Sequence, residues 1–576
     1  MVIEMFPSVQ FDSRGIPNQF GHSKDYCSRE EVNTERNQWY GTEEFVQWGN
    51  INLFHQNTMI NENLSLPTKQ QGLIFSAEIT NFDELCYDIK PSSSQLCPEE
   101  LKNFETIHSE FQELISPQES SSGITINHET KFGQADYEQF NLPSHDTACA
   151  NAGKRLSTHD FLRLGGEKFI QSSSPIVNNF ELSHPYSTSL LGLSVEEHRD
   201  VEIIQHLLAS AEKVGEQQFS RASHLLSHCH QCSSIRGTPV QRIVYYFSKA
   251  LQQKIDQETG RRTTKGSGKR QLLELQDTSM NPNPSLLASY QKVPFSQVIL
   301  FTAMQVMIEN VSEAKRIHII DLEVRNGLHL SILMEALAAR SDCPLVHLKV
   351  TAVGTISEQK IKETGKRLMS VAQSLNLSFS FNVVMVADML DLNESLFKLE
   401  SEEMVAVYAP YILSTLIERP NHLENLMAVF QKINPRIMIV TEVEANHNSP
   451  VFVNRFVEAL FYYGALFDSM EECMDRDDQD RIISESTQFS PKIANIVAFE
   501  GEERRVRHVN SNVWKAFFSR FGMVETELSR ASLYQAKLLV NNFACASSCT
   551  FEMMGKSLSI GWKGTPILSV SALKFL

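Results

Sequence analysis

"RIHIIDLEVRNGLHL", residues 316–330, reads as a strand running into a turn and then a helix. Arg316 to Asp321 is a short apolar run ending in an acid, and Gly327 opens the amphipathic stretch "GLHLSILMEALAAR". This layout belongs to the first crossover of a doubly wound α/β fold, where nucleotides and S-adenosylmethionine bind. Outward from it, apolar runs recur at 345–353, 378–386, 404–413 and 436–443. Helical patterns lie between them, most clearly "SEQKIKETGKRLMSVAQSL" and "NHLENLMAVFQKI". Strands alternating with helices predict right-handed crossovers and a mostly parallel sheet, buried on both faces. The tail "SLSIGWKGTPILSVSAL" differs, and its two strands around "WKGTP" predict an antiparallel hairpin at the sheet edge. The expected class over 313–576 is therefore α/β, a methyltransferase-like (Rossmann-type) sheet with an antiparallel C-terminal hairpin. That analogy is one of architecture, and function does not follow from it.

Upstream, residues 195–312 predict a helical cap. Apolar residues at 201, 204, 207, 208, 211 and 214, then at 219, 222, 225 and 226, have helical spacing, and Gly215 divides them into two helices. "TPVQRIVYYFSKALQQKI" continues as a third, with Pro239 suited to its first turn. "FSQVILFTAMQVMIENV", residues 295–311, is apolar nearly all round and predicts a buried helix. In the first of these helices Val201, Ile204 and Leu208 form one stripe, and Ile203 and Leu207 widen it. So broad an apolar arc predicts a second covered face, here expected to be a partner-binding one.

The first third has another character. Residues 1–200 hold 29 acids and 13 bases, whereas 201–576 hold 40 and 39, so nearly all of the net charge of −17 lies in the arm. "PSSSQ", "SPQESSSG" and "QSSSP" are spread through it, and apolar groups are short and isolated. Burial there would not offset the ordering entropy, and 1–190 is expected to be a largely disordered acidic arm. The start "MVIEMFPSVQF" lacks the marks of a signal peptide, and no window reaches the ~18 apolar residues of a membrane span. Ten scattered cysteines suit free thiols in a reducing compartment.

Chemical motifs are scarce. Dinucleotide and S-adenosylmethionine sites need closely spaced glycines, so that backbone N–H groups can approach the ligand. The segment after Asp321 is Leu-Glu-Val-Arg-Asn-Gly, with bulky side chains where those glycines would stand. Gly327 is expected only to let the chain turn. P-loop, G-x-S-x-G and H-E-x-x-H motifs are missing, so neither catalytic nor cofactor-binding residues are assigned. The acids at strand ends, Asp321, Asp388 and Glu442, can line a pocket or cap helix N-termini. "SHLLSHCHQC" groups His224, His228, Cys229, His230 and Cys232, but lacks the second half that structural zinc requires, and no metal site is assigned.

In order, the motifs resemble one family, the plant GRAS transcriptional regulators, a group that includes scarecrow-like and DELLA-related proteins. Residues 201–256 resemble its first leucine-rich region, and "RIHIID" resembles its VHIID motif at His318, Ile319, Ile320 and Asp321, with Gly327 following. Residues 345–417 resemble the second leucine-rich region. "SPVFVNRFVEALFYYGALFDSME" resembles the PFYRE region, with Pro450, Phe461 and Tyr462, and the end from Trp514 through Trp562 resembles the SAW region. Three departures stand out. "LHL" replaces the usual Gln-Trp pair after the glycine, Leu573 stands where the last tryptophan belongs, and "FDELCYDI" at 82–89 lacks the rest of a DELLA motif. The resemblance implies a nuclear regulator, pairing with other GRAS proteins and with DNA-binding transcription factors as a homo- or heterodimer, and in some members touching promoter DNA. In overall character it is similar to the branch needed for arbuscule development in mycorrhizal roots.

Three functions are therefore weighed: a non-enzymatic scaffold, a small-molecule-binding or methyltransferase-like protein using the pocket above Asp321, and a direct DNA binder. DNA binding needs a basic stripe, and 201–576 is close to neutral. Only the loop 260–270 is strongly basic. Its Arg261, Arg262, Lys265, Lys269 and Arg270 are expected to serve nuclear import.

Overall fold

The computed structural model describes residues 156–173, 192–262, 284–354 and 358–576. The cap begins with α1 (Thr158–Ser173), α2 (Val195–Gly215), α3 (Phe219–Cys232) and α4 (Pro239–Glu258). Ser194 and Glu197 close a reciprocal capping box at the start of α2. Pro239 occupies the first turn of α4, and the Thr238 hydroxyl accepts from Gln241 N. Two further helices, α5 (Pro284–Lys292) and α6 (Phe295–Asn310), lead to the sheet.

The sheet is built from β1 (Arg316–Asp321), β2 (His347–Gly354), β3 (Phe379–Met385), β4 (Met404–Pro410) and β5 (Ile437–Val443), all parallel in the order 3-2-1-4-5. Crossing over between them are α7 (Leu328–Ala338), α8 (Glu358–Ser374) and α9 (Pro420–Ile433). After β5 the chain runs through α10 (Phe452–Cys473), α11 (Gln479–Ser484), α12 (Ser490–Val497) and α13 (Ser511–Ser519). It then forms β6 (Met523–Glu525), α14 (Arg530–Asn541), β7 (Cys549–Met554), β8 (Ser557–Trp562) and β9 (Thr565–Phe575). β9 lies antiparallel to β5, β8 follows it, and β7 forms the edge. The predicted hairpin is thus β8–β9, but it lies inside the edge strand β7 rather than at the margin.

Successive residues of the parallel strands feed opposite cores. Ile317, Ile319, Val350 and Ile439 join the cap, α6 and α7, whereas Ile320, Val407, Met438 and Val440 pack with α9 and α13.

Two sequence expectations are corrected here. Val201, Ile203, Ile204, Leu207 and Leu208 do not face a partner; all five are buried within the chain, and the last four join its own helical core. The second covered face exists, and α1 supplies it. Gly165 is where the two helices come closest: a Cβ there would stand 2.4 Å from Ile204 Cγ2. The same helix moves the boundary of the folded unit, because α1 falls within the span that composition assigns to the arm. Leu162, Phe169 and Ile170 are buried, and Thr158 N and Oγ1 donate to Asp468 Oδ1 at 2.9 and 3.0 Å. A sixteen-residue amphipathic segment is too short to offset the polar composition around it, which is why averaging hid it. The rest of the arm up to 155 lies outside the described residues.

The cap is tied to the C-terminal half by buried charge. Arg242 of α4 meets Glu485 at 3.1 Å and Glu471 at 2.6 Å, and Arg481 meets Glu485 at 2.7 Å. Arg242, Arg481 and Glu485 have no exposed surface. The arginines also donate to the carbonyls of Gly237, Phe467, Arg476 and Ile235. Removing one member of such a group leaves the others charged and dry, at a cost of about 3–5 kcal/mol. Glu485→Ala should lower the denaturation midpoint accordingly, with the m-value little changed. A second measurement concerns the boundary. Each large apolar side chain of α1 contributes about 1.5–3 kcal/mol by burial. A chain beginning at residue 195 should therefore melt well below one beginning at 156, and limited proteolysis of the full chain should leave a core that still contains α1.

Candidate functional site

The carboxyl end of β1 is where a ligand of this fold would sit. Asp321 Oδ1 accepts from Glu323 N at 2.9 Å, and Oδ2 lies 2.5 Å from Nε2 of His329, in the first turn of α7. The His329 ring in turn lies 5.0 Å from Tyr408 on β4, and all three residues are buried. Leu322 and Val324 turn inward, and Arg325, with a left-handed φ of 48°, lays its guanidinium 4.9 Å over the Tyr411 ring. Gly327 has φ 78°, and a Cβ there would lie 3.0 Å from Thr364 Cγ2 and 3.1 Å from Leu368 Cδ2. Its freedom serves the turn and the packing of α7 on α8, as expected from the sequence. Arg325, Asn326, His329, Tyr408 and Tyr411 line a narrow space at this mouth, so bulky side chains stand where a G-x-G loop would present bare backbone.

The other acids at strand ends act as caps. Asp388 Oδ1 accepts from Leu390 N at 2.9 Å, and Glu442 Oε1 accepts from Leu413 N and Ser414 N at 3.1 and 3.2 Å. Burial pushes the Glu442 carboxyl up to about 7, although those N–H groups pull the other way.

Most of the remaining motif residues are structural. His318 is buried, with Nε2 2.7 Å from Thr351 Oγ1 and Nδ1 3.2 Å from Glu403 Oε2. Burial, and then the Lys349 ammonium, bring its pKa down to about 3, so the imidazole is neutral. Ile319 and Ile320 enter opposite cores. Phe461 meets the edge of His159 of α1 at 5.2 Å, and the Tyr462 hydroxyl donates to Ile567 O at 3.3 Å. Trp514 stacks on Phe518. Trp562 Nε1 donates to Asp468 Oδ2 at 2.8 Å, joining the carboxylate that also holds Thr158 and Lys563. Pro450 is exposed before α10. Arg261 and Arg262 are exposed beyond α4, whereas Lys265, Lys269 and Arg270 lie outside the described residues. In the histidine-cysteine segment, Cys229 points into the cap while His224 and His230 are exposed, so the helix separates these groups.

Beside this narrow mouth lies a larger cavity that no sequence motif announces. It opens between α5, α6, α10 and α12 at the ends of β5 and β9. Lys492 and His508 line it; burial and then its neighbour Arg325 push the Lys492 ammonium down to about 7. The two residues are sixteen positions apart, on elements with no motif in common. His329 was missed for a similar reason: its partnership with Asp321 depends on how the turn folds back, although its place in the first helical turn after the strand was a usable signal.

Fold and mouth together define a methyltransferase-type α/β scaffold whose mouth, at the carboxyl end of β1, is narrowed by its own bulky side chains. Residues 203–574 match the GRAS domain family, and the chain belongs to that family of plant transcriptional regulators. It is 28% identical over 390 residues to DELLA protein 1 of Medicago truncatula, covering 65% of this chain and 63% of that one. It is 30% identical over 373 residues to DELLA protein RGL1 of Arabidopsis thaliana, covering 65% and 70%. Among solved structures, SCL7 of Oryza sativa superposes with a TM-score of 0.55 at 25% identity, covering 65% of this chain and 99% of that one.

The Glu442 carboxyl supplies a pH test. Its folded pKa lies above the ordinary value, so the folded state holds the proton more tightly and stability falls as pH rises from about 4.5 to 7. Glu442→Gln keeps an oxygen for both N–H groups but cannot ionise. Its melting temperature should gain on the wild type between pH 5 and pH 8, by an equivalent on the order of 3 kcal/mol, and then stay level.

Proposed function

We propose that this protein acts in the nucleus as a non-enzymatic scaffold, bringing other GRAS proteins and DNA-binding transcription factors together in plant development or arbuscular mycorrhizal symbiosis. One observation carries the reading: residues 203–574 match the family's domain, and Arg325, Tyr411 and His329 crowd the mouth where the fold's cofactor would bind, with Asp321 engaged by His329. A regulator that works by assembly has no use for that position and can let side chains crowd it. The near balance of charge over 201–576 supports contact with promoters through partners, since a direct DNA interface draws on clustered Lys and Arg. The acidic arm would recruit coactivators by folding on binding.

Affinity purification from cross-linked plant nuclei tests this directly. Another GRAS protein or a DNA-binding factor should be recovered at near-stoichiometric yield, and promoter fragments should be lost when that factor is depleted. Calorimetry with millimolar S-adenosylmethionine or NAD should stay flat; saturable heat abolished by Asp321→Ala would put an enzyme or sensor in its place. Import is tested separately. Changing Arg261, Arg262, Lys265, Lys269 and Arg270 to Gln should move a fluorescent fusion toward the cytoplasm while the melting temperature holds.

A further inference from the structure

The cavity over β5 and β9 is distinct from the narrower space at the β1 mouth, though Ser296 lines both. Its walls are mainly apolar and aromatic, with Tyr463, Leu466, Met470 and Phe489 on one side and Ile567 and Leu568 on the other. The cavity offers about 100 Å³. A single water needs roughly 10–15 Å³ of such space, so it suits a ligand of roughly ten non-hydrogen atoms. The fold provides for the wall with an irregularity: a π-helical turn, Glu485–Phe489, interrupts the run from α11 to α12 and carries Gln488 and Phe489 to the rim. Such turns recur at functional sites.

Polarity inside the cavity has one sign. Lys492 reaches the lining, Arg325 lies close enough to depress its pKa, and no described lining residue is a carboxylate. His508 is buried to 7% exposure, and its Nδ1 has no hydrogen-bond partner among the described residues. A buried ring nitrogen without a partner costs free energy, and a ligand atom would relieve it. Burial and then Lys492 bring the His508 pKa down to about 3, so the imidazole is neutral and Lys492 is the ionisable cation of the wall.

We infer that this cavity is a binding site for a small, largely hydrocarbon molecule bearing one carboxylate, its ring or chain against Tyr463, Leu466 and Phe489 and its anionic end toward Lys492 and His508. Apolar walls with a few convergent polar groups are the usual form of a small-molecule site. The ammonium pairs with a carboxylate, and the largely apolar surroundings strengthen that pair. This inference stands apart from the scaffold reading, since a protein that only assembles partners would have no need of the site.

The test uses the full chain and two probes of the same shape, 2-naphthoate and 2-naphthalenemethanol, followed by calorimetry and ligand-observed NMR. Naphthoate should bind saturably with a Kd of about 1 mM or tighter, as expected for a probe of this size. The neutral alcohol should bind at least tenfold more weakly. Lys492→Met should remove that preference while leaving the alcohol's affinity unchanged, and Leu466→Trp should exclude both probes. Melting curves establish that each variant is folded. If Lys492→Met fails to fold, the comparison of the two probes on the wild type decides by itself. Absence of naphthoate binding, equal affinity for acid and alcohol, or full binding by folded Leu466→Trp would each overturn the assignment. The outcome leaves the scaffold reading untouched, because partner recovery from nuclei is a separate measurement.

Discussion

A parallel sheet with apolar residues on both faces cannot be left half covered, and much of this molecule answers that demand. β5 is buried along its whole length, and β1 and β4 are nearly so. One face is covered by α9 and α13, the other by α6, α7 and the helical cap. The cap itself would present a bare apolar stripe on α2 were it not for α1. Each layer thus creates the need for the next, and the sequence must be read as far as residue 158 before the last face is closed.

This dependence explains what could be read from the chain and what could not. The strand at 316–321, the glycine turn, the four apolar runs and the divided helices at 195–232 are local patterns, and the structure places elements at each of them. The width of the α2 stripe was also legible: Ile203 and Leu207 do require a second partner. Whether that partner is another protein or another part of the same chain is not a local property. The covering helix lies 30-odd residues upstream in a strongly polar context, where composition averages over it. Site geometry fails for a related reason. Arg325 over Tyr411, His329 on Asp321, and Lys492 near His508 are each made by separate elements meeting at strand ends, and single-sequence periodicity does not encode such meetings.

The molecule's buried charges are concentrated where its parts join. Arg242, Arg481 and Glu485 connect cap to core. Asp468 gathers Thr158 of α1, Trp562 of β8 and the Lys563 ammonium. Burial alone would raise the Asp468 carboxyl, but the hydrogen bonds from Lys563, Thr158 and Trp562 outweigh it and hold the group below its usual range. Apolar contacts tolerate sliding, whereas directional pairs of this kind specify one arrangement.

The position of β9 also bears on how the protein is made. Residues 565–575 are the last strand of the sheet in sequence, yet they pair with β5, β6 and β8 and so close its interior. While the ribosome is still translating, β5 has formed partners on one side only, and its other edge displays unpaired N–H and C=O groups along an apolar strand. Such an edge attracts other nascent chains and chaperones alike. The protein's vulnerability is therefore greatest in the interval between synthesis of Val443 and emergence of Phe575. Premature stop codons anywhere in that span should yield products that quality control removes rather than partly active fragments.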